Sequence, residues 1–553
     1  METVPVVAGR GRGWRTIPRM LRDMAARHGA AEVVREVGGG AAPATSLTLA
    51  DLAGRAADVA RGLIALGIEP GDRVAVWAPN TPDWVVMTYG LWDAGAVVAP
   101  LSIRYKGVEA AEFLRKAGAK VLFVAAGEQG AGCLRMLADA GGGPDAGRPC
   151  RDLPVLERVI SPGPVLAGPG ALSWEEFIAG GAAVAADAAE DRALAVGPDD
   201  LAEIMATSGT TGTPKGVMLH HAQLLRGYWD WAEIVTLGPG DRYPIIAPFS
   251  HGFGLNAGLL ACVLKRATML PIARFVPDEL IALIERERIS VLAGPPTLFF
   301  RVLDELAGRD LSSLRVAICG AAAVPPELIR RLLDKVGLER MINAYGLMEG
   351  TVVSMTRAGD PVGVVAGSAG RAVPGVSIEI VDDDEKELSP GERGEILVGG
   401  YGVMRGYWRD PEQTAAAIDE RGRLRTGDIG ALDERGNLTI VDRKKEMFIV
   451  GGFNVYPAEV EALLLRHPGL AQVAVIGVPG AGCSPAGGSG GETGWAFVVP
   501  APGAMVEPGA LIDWARENMS DYKVPRRVIV VDALPTNVNG KVDKPALRAL
   551  APG

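Results

Sequence analysis

The sequence predicts an α/β protein. A large N-terminal domain of mainly parallel sheets flanked by helices, with a small β subdomain, precedes a smaller α+β C-terminal domain. Three observations carry this. The apolar runs 73–78, 96–100 and 121–125 alternate with helical spans, the pattern of βαβ units. Residues 377–381 and 394–398 alternate apolar and polar among turn glycines Gly391, Gly399, Gly400 and Gly402, as half-exposed antiparallel strands do. After Arg443 the pattern becomes compact: helix 457–467, strands 473–477 and 495–499, helix 508–519, strand 528–531. A boundary near 442–446 divides the chain into 1–442 and 443–553, the second an ordinary small-domain size.

Taken in order, the stretch 14–80 reads as helix, then a turn at Glu69-Pro-Gly-Asp72 and the strand 73–78. Asn80 or Thr81 caps the next helix, with Pro82 in its first turn. Residues 126–152 and 161–196 are rich in Gly, Ala and Pro and read as surface connections with short helices. Strands resume at 245–248, 268–270, 291–293 and 316–319, and 438–442 closes the β subdomain.

Composition excludes several function classes. A chain of 553 residues with 48% hydrophobic and 22% charged residues is an ordinary globular protein. Net charge is −10 without a basic stripe, which argues against a nucleic-acid partner. Cys133, Cys150, Cys262, Cys319 and Cys483 show no CxxC spacing, which argues against a disulfide framework or zinc site and fits a cytoplasmic protein. Residues 1–19 hold arginines but no apolar segment, so they do not read as a signal peptide. No run of 18 apolar residues occurs, so no membrane span is expected.

The chemistry centres on residues 205–218. Leu201, Ile204 and Met205 read as the end of a buried strand, and His221 opens a helix. The loop between them holds Gly209, Gly212 and Gly216, the hydroxyls of Thr207, Ser208, Thr210, Thr211 and Thr213, and Lys215. Glycines let backbone N–H groups converge on one anion, hydroxyls add donors, and lysine adds charge; a polyphosphate needs all three. A flexible linker would not need a lysine between Pro214 and Gly216. A Walker loop would need Ser or Thr where Gly216 stands. Further on, Gly320-Ala-Ala-Ala323 either admits a flat ring or makes a plain strand-to-helix turn. In the stretch 343–349, Tyr345 suits stacking on adenine, Asn343 suits its amino edge, and Glu349 suits Mg2+ on a polyphosphate.

These stretches together resemble the adenylate-forming superfamily, which includes acyl-CoA ligases, peptide-synthetase adenylation domains and luciferases. The resemblance runs in the right order over about 15–553. It implies an ATP/AMP site of Thr207, Ser208, Gly209, Thr210, Thr211, Gly212, Gly320, Ala321, Ala322, Asn343, Ala344, Tyr345, Gly346, Met348, Asp428, Ile440, Arg443 and Lys541. Asp428 would hold the ribose and Arg443 would lie near ribose and phosphate, although 443–445 also reads as a solvated charge cluster. Lys541, in Asn539-Gly-Lys541, would be the catalytic lysine, with Lys215 on the phosphates and Glu349 as metal ligand. At Met348 the family carries a threonine that contacts the α-phosphate, and a thioether cannot donate that bond.

The same resemblance counts His251 with the catalytic residues and places it beside an acyl pocket formed with Gly252, Phe253, Gly254, Leu255, Gly294 and Gly320, with Asn256 a further wall candidate. It makes Lys445 a hinge, Gly451 and Gly452 the lining of a pantetheine tunnel, and Lys523 and Arg526 contacts for the CoA nucleotide. The implied reaction uses ATP and Mg2+ to convert a carboxylic acid to an acyl-adenylate, then transfers the acyl group to coenzyme A. Fatty-acyl and coumarate-type ligases are the nearest subfamilies, because 249–256 holds no aspartate for a substrate ammonium. A pocket of glycines without fixed charge predicts a bulky, mainly apolar acid. Transfer to an acyl-acceptor protein or partner enzyme, a non-catalytic nucleotide binder, and a homodimer stay open. The Gly-rich insert 481–491 falls in the thiol-transfer domain.

Overall fold

The computed structural model of the chain describes residues 13–37, 46–144, 148–161, 168–207, 215–304, 308–320, 324–444, 446–450, 453–479, 492–519, 521–537 and 541–550. The chain divides into two compact units: Met1–Ile378 with Val398–Leu424, and Glu379–Leu397 with Arg425–Gly553.

The first unit is built on three sheets. The largest has eight strands in the order Gly406–Tyr407, Lys215–His220, Leu201–Thr207, Val97–Pro100, Arg73–Trp77, Ala119–Val124, Arg158–Ser161 and Ala171–Ser173. From Leu201–Thr207 to the last strand the pairing is parallel; the first two join antiparallel. A second sheet runs Val291–Ala293, Val316–Gly320, Arg340–Leu347, Thr351–Met355, Arg371–Ala372, parallel and then antiparallel. A third joins Arg242–Ile245, Thr268–Pro271, Glu32–Arg35 and Ser46–Thr48.

The helix Pro82–Asp93 shows why the core sits where it does. Thr81 is the cap: its hydroxyl accepts from the Trp84 N–H at 3.2 Å, and Pro82 needs no donor at the first position. From Trp84 onward every residue of this helix is buried. Side chains such as Val85 and Leu91 contribute about 2 kcal/mol each on burial.

Three expectations need correction. The part of 14–80 that precedes the Glu69 turn is not simply helical. The helix Ile17–His28 ends before the β-branched run Glu32–Arg35, and two strands separate it from the helix Leu49–Ala65. The connection 161–196 and the segment before it carry two short strands, Arg158–Ser161 and the edge strand Ala171–Ser173. Lys215 is not in a loop that runs to His221: it opens the strand Lys215–His220.

In the second unit, Leu470–Pro479 pairs antiparallel with Glu492–Pro500, which pairs parallel with Arg527–Val530. Helices Pro457–Leu464 and Pro508–Asn518 pack on this sheet through Val460, Leu464, Leu511 and Ala515. The hairpin Phe448–Val450 with Phe453–Val455 precedes it. A four-stranded sheet orders Val376–Val381, Gly394–Gly400, Leu424–Leu432 and Leu438–Arg443. Among the described residues no helix is long and apolar enough to cross a membrane.

Candidate active site

The strands Leu201–Thr207 and Lys215–His220 form a hairpin in which Thr207 and Lys215 are direct partners. Ser208, Gly209, Thr210, Thr211, Gly212 and Thr213, the core of the expected phosphate loop, lie outside the described residues, as do Ala321 and Ala322. Gly216 is small for a packing reason: a β-carbon there would sit 2.7 Å from Ile204 Cγ2 and 3.3 Å from Trp408 Cβ.

Lys215 Nζ donates to Gln413 Oε1 at 2.7 Å and lies 4.7 Å from the Tyr407 ring centroid, a cation–π distance. It makes no ion pair with a carboxylate among the described residues, so its charge is not neutralised by one. Tyr407 in turn donates its hydroxyl to Glu349 Oε1 at 3.0 Å. Burial, the Glu349 charge and this hydrogen bond push the phenol far above its ordinary range. One tyrosine therefore touches both the lysine and the carboxylate. Neither Tyr407 nor Gln413 stood out in the sequence; the only signal was an aromatic pair, Tyr407-Trp408, after Gly406.

Gly320 and Ala344 are parallel partners at the strand ends, and a β-carbon on Gly320 would sit 3.0 Å from the Ala344 carbonyl oxygen. Asn343 is buried and donates to Ser368 O at 2.9 Å and Val365 O at 3.4 Å. Its NH2 end is committed to the backbone, which leaves the oxygen as the end suited to accept. Tyr345 sits at a bulge before Gly346, whose missing side chain avoids the Thr351 carbonyl. Thr351, just after Glu349-Gly350, holds a left-handed φ of 54° with its hydroxyl buried, a strained turn of the kind found at functional sites.

On the acid side, His251 is exposed and its Nδ1 accepts from the Phe253 N–H at 3.2 Å. Phe253–Leu260 is a π-helix, with Leu255 and Asn256 fully buried. Met348 places its sulfur 2.9 Å from where a Gly252 β-carbon would be. Gly254 corrects the expectation of a widened channel: a β-carbon there would run into the backbone carbonyls of Ala247 and Pro248. Its smallness serves a close backbone approach. At Gly294 a β-carbon would meet the Leu298 side chain.

In the second unit, Asp428 and Arg443 are cross-strand partners joined at 2.8 Å, with the Asp428 side chain nearly buried. Ile440 is exposed on the same strand. Lys541 lies near this pair and Glu446; partial desolvation first, and Arg443 second, lower its ammonium below the usual lysine range. Its backbone is held in a turn, donating to Asn537 Oδ1 at 3.1 Å while its carbonyl accepts from Asn537 N–H at 2.7 Å. Lys445, Gly451 and Gly452 lie outside the described residues. Lys523 is paired with Glu459 at 2.7 Å and Arg526 with Asp521 at 2.9 Å, so both carry a carboxylate partner already. Nothing in the local pattern marks Lys544, which is buried between Glu446 at 3.1 Å and Glu461 at 3.0 Å.

An unneutralised lysine beside a Tyr-bound carboxylate fits a metal–polyphosphate, and a buried aspartate with an arginine fits a ribose with its phosphate. The comparisons agree with that chemistry. Residues 21–408 match the AMP-binding enzyme family, and 459–541 match the AMP-binding enzyme C-terminal domain. The chain belongs to the AMP-binding enzymes, an ATP-dependent, adenylate-forming family. Its close curated relatives are acyl-CoA ligases. It is 46% identical over 494 residues, 89% of this chain and 91% of the relative, to the (7a-methyl-1,5-dioxo-octahydro-1H-inden-4-yl)propanoyl:CoA ligase of Mycobacterium tuberculosis. Among solved structures, ATP-bound MatB from Rhodopseudomonas palustris aligns with a TM-score of 0.80 at 30% identity, covering 96% of this chain and 98% of that one. The amide bond synthetase McbA from Marinactinospora thermotolerans aligns at 0.78 and 27% identity, covering 97% and 100%.

Proposed function

We propose that this enzyme activates a bulky, mainly apolar carboxylic acid with ATP and joins it to coenzyme A, releasing AMP and pyrophosphate. The observation that carries the adenylation step is the Lys215–Tyr407–Glu349 arrangement. Lys215 and the loop before it bind the phosphates. Tyr407 holds Glu349 in place to take Mg2+, and Mg2+ when bound would neutralise polyphosphate charge. Asp428 binds the ribose, and Arg443 sits at the phosphate side. Asn343 accepts from the adenine amino group and Tyr345 stacks on the ring. Lys541 stabilises charge on the carboxylate and α-phosphate as they meet. No protein nucleophile is required; positioning and positive charge do the work.

Thiol transfer then needs a different face of the C-terminal domain. In this reading the functional boundary falls between 1–442 and 443–553, with Lys445 as hinge. Rotation exchanges Lys541 for Gly451 and Gly452, and Lys523 and Arg526 meet the CoA nucleotide after giving up Glu459 and Asp521. The protein acts in the cytoplasm.

The ring-bearing propanoyl group in the name of a 46% identical relative supports a ringed acid over acetate. His251, Gly252, Phe253, Leu255, Gly294 and Gly320 line the acid side. A second reading, adenylation followed by transfer to a nitrogen or carrier acceptor, draws on the likeness to an amide bond synthetase. Pyrophosphate release over a panel of acids, with and without CoA, tests both. Release with ringed or long acids, and acyl-CoA only when CoA is added, is the expected result. Adenylate that accumulates unchanged with CoA present would favour the second reading. Best turnover of acetate or a free amino acid would overturn the first.

A further inference from the structure

The strand that leads into the phosphate loop buries an acid. Glu203, four residues before Thr207, has no exposed surface. Its Oε1 accepts from Asn256 Nδ2 at 2.8 Å. Glu203 Oε2 and Asn256 Oδ1 are buried without a hydrogen-bond partner. Asn256 belongs to the π-helix Phe253–Leu260, and such turns recur at functional sites. Its amide nitrogen lies 3.8 Å from the position of a Gly252 β-carbon, beside the Met348 sulfur. A continuous set of contacts thus links the hairpin of Lys215, through Glu203 and Asn256, to Gly252 and Met348.

The surroundings of Glu203 are apolar or neutral. Val98 and Leu219 are its partners on the adjacent strands. The helix His221–Val235 contributes Tyr228, whose hydroxyl lies near the Asn256 side chain. No Lys, Arg or His acts on the carboxyl. Burial pushes it up to about 8, with the Asn256 bond a smaller opposing effect, so it is neutral at pH 7. A hydrophobic pair of the same size would fill this space without two orphaned polar atoms. A polar bridge kept at that cost, between the two halves of an active site, calls for a role in alignment.

We propose that Glu203 is a positioning residue: by holding Asn256 it locks the acid-side segment 251–256 to the strand that enters the phosphate loop. The acid and the α-phosphate are then presented to each other at a fixed offset. This rests on the adenylation reading above.

The test uses the full chain, the acid it activates best, and pyrophosphate release at pH 7, with a melting curve for each variant. Glu203→Gln keeps an acceptor for Asn256 and should retain kcat within about threefold at pH 7, and Glu203→Leu should lower kcat about ten- to a hundredfold, the scale of a small misplacement of reactants, while KM for ATP moves less than threefold. Asn256→Leu should reproduce the kcat loss of Glu203→Leu if the latter does not fold. A Gln variant that loses as much kcat as the Leu variant, or a folded Leu variant with unchanged kcat, overturns the proposal. If the unmodified chain releases no pyrophosphate with any acid, the adenylation reading falls and takes the proposal with it. That outcome shows before any variant is made.

Discussion

The sulfur of Met348 fills the space that a side chain on Gly252 would occupy, 2.9 Å from the position of its β-carbon. The two residues are fitted to one another across the border between the nucleotide and acid sides. Gly252→Ala should therefore lower adenylation several-fold. Met348→Thr supplies a hydroxyl and frees that space, so the double variant should recover most of the loss. A coupling energy of about 1 kcal/mol in a double-mutant cycle on pyrophosphate release is expected for groups in contact. Simple additivity would mean that the residues act separately.

Tyr407 offers a second handle. Tyr407→Phe removes the hydrogen bond to Glu349 and keeps the ring under Lys215. Loss of a bond to a charged group costs about 2 kcal/mol, so kcat for adenylation should drop roughly tenfold or more. Tyr407→Ala, which also loses the ring, should be worse. Equal effects would show that the hydroxyl contributes nothing.

Lys541 separates the two half-reactions. Lys541→Ala should reduce acyl-adenylate formation by about two to four orders of magnitude, the scale of losing an electrostatic donor. Thioester formation from supplied acyl-adenylate should persist. A parallel fall in both steps would remove the lysine from its assigned role.

His221 gives an acid limit to stability. Burial, with a smaller effect from His220, holds its imidazole down to about 3, and its Nδ1 is buried without a partner. Unfolding lets the ring take a proton below about 6.5, where the folded state refuses it until about pH 3. Stability should therefore fall as pH drops through that window. Melting curves of the unmodified protein and His221→Asn, taken at pH 7 and pH 4.5, should show a smaller acid-induced loss in the variant.

Lys544 is expected to matter for the fold more than for the chemistry. Lys544→Met leaves Glu446 and Glu461 without their shared cation, a loss of about 3 kcal/mol when a buried pair is broken on one side. Denaturant unfolding of the second unit should register it. A change below about 0.5 kcal/mol, the surface-substitution level, would place the lysine in solvent.

The α/β plan and most strands were legible because apolar runs of the right length recur between helical spans. The cap before Pro82 reads from the sequence as Asn80 or Thr81; the structure decides for Thr81, because the Asn80 side chain is spent on Ile245 O, Ala247 O and the Phe249 N–H. What was missed depends on the partner across space. Tyr407 follows Glu349 by 58 residues, and nothing in either local pattern announces their bond. Glu203 looked like one residue of a strand, since burial of a carboxyl leaves no mark on a sequence. Gly254 was misread because a glycine that opens a channel and one that lets two backbones touch are spelled alike. Lys215 reads as a loop residue because the neighbouring glycines and threonines hide the start of the apolar alternation in Lys215–His220.

For protein engineering, the hairpin pairing of Thr207 with Lys215 divides the phosphate motif into two kinds of sequence. Lys215 and Gly216 belong to the sheet: one has its Cα set by strand pairing, and the other is squeezed between Ile204 and Trp408. Residues 208–214 are the stretch of sequence that joins these two paired ends. A grafted segment of equal length from another AMP-binding enzyme should thus inherit the correct lysine placement from this scaffold. A graft that carries its own lysine and glycine, with foreign neighbours, would have to rebuild the strand as well.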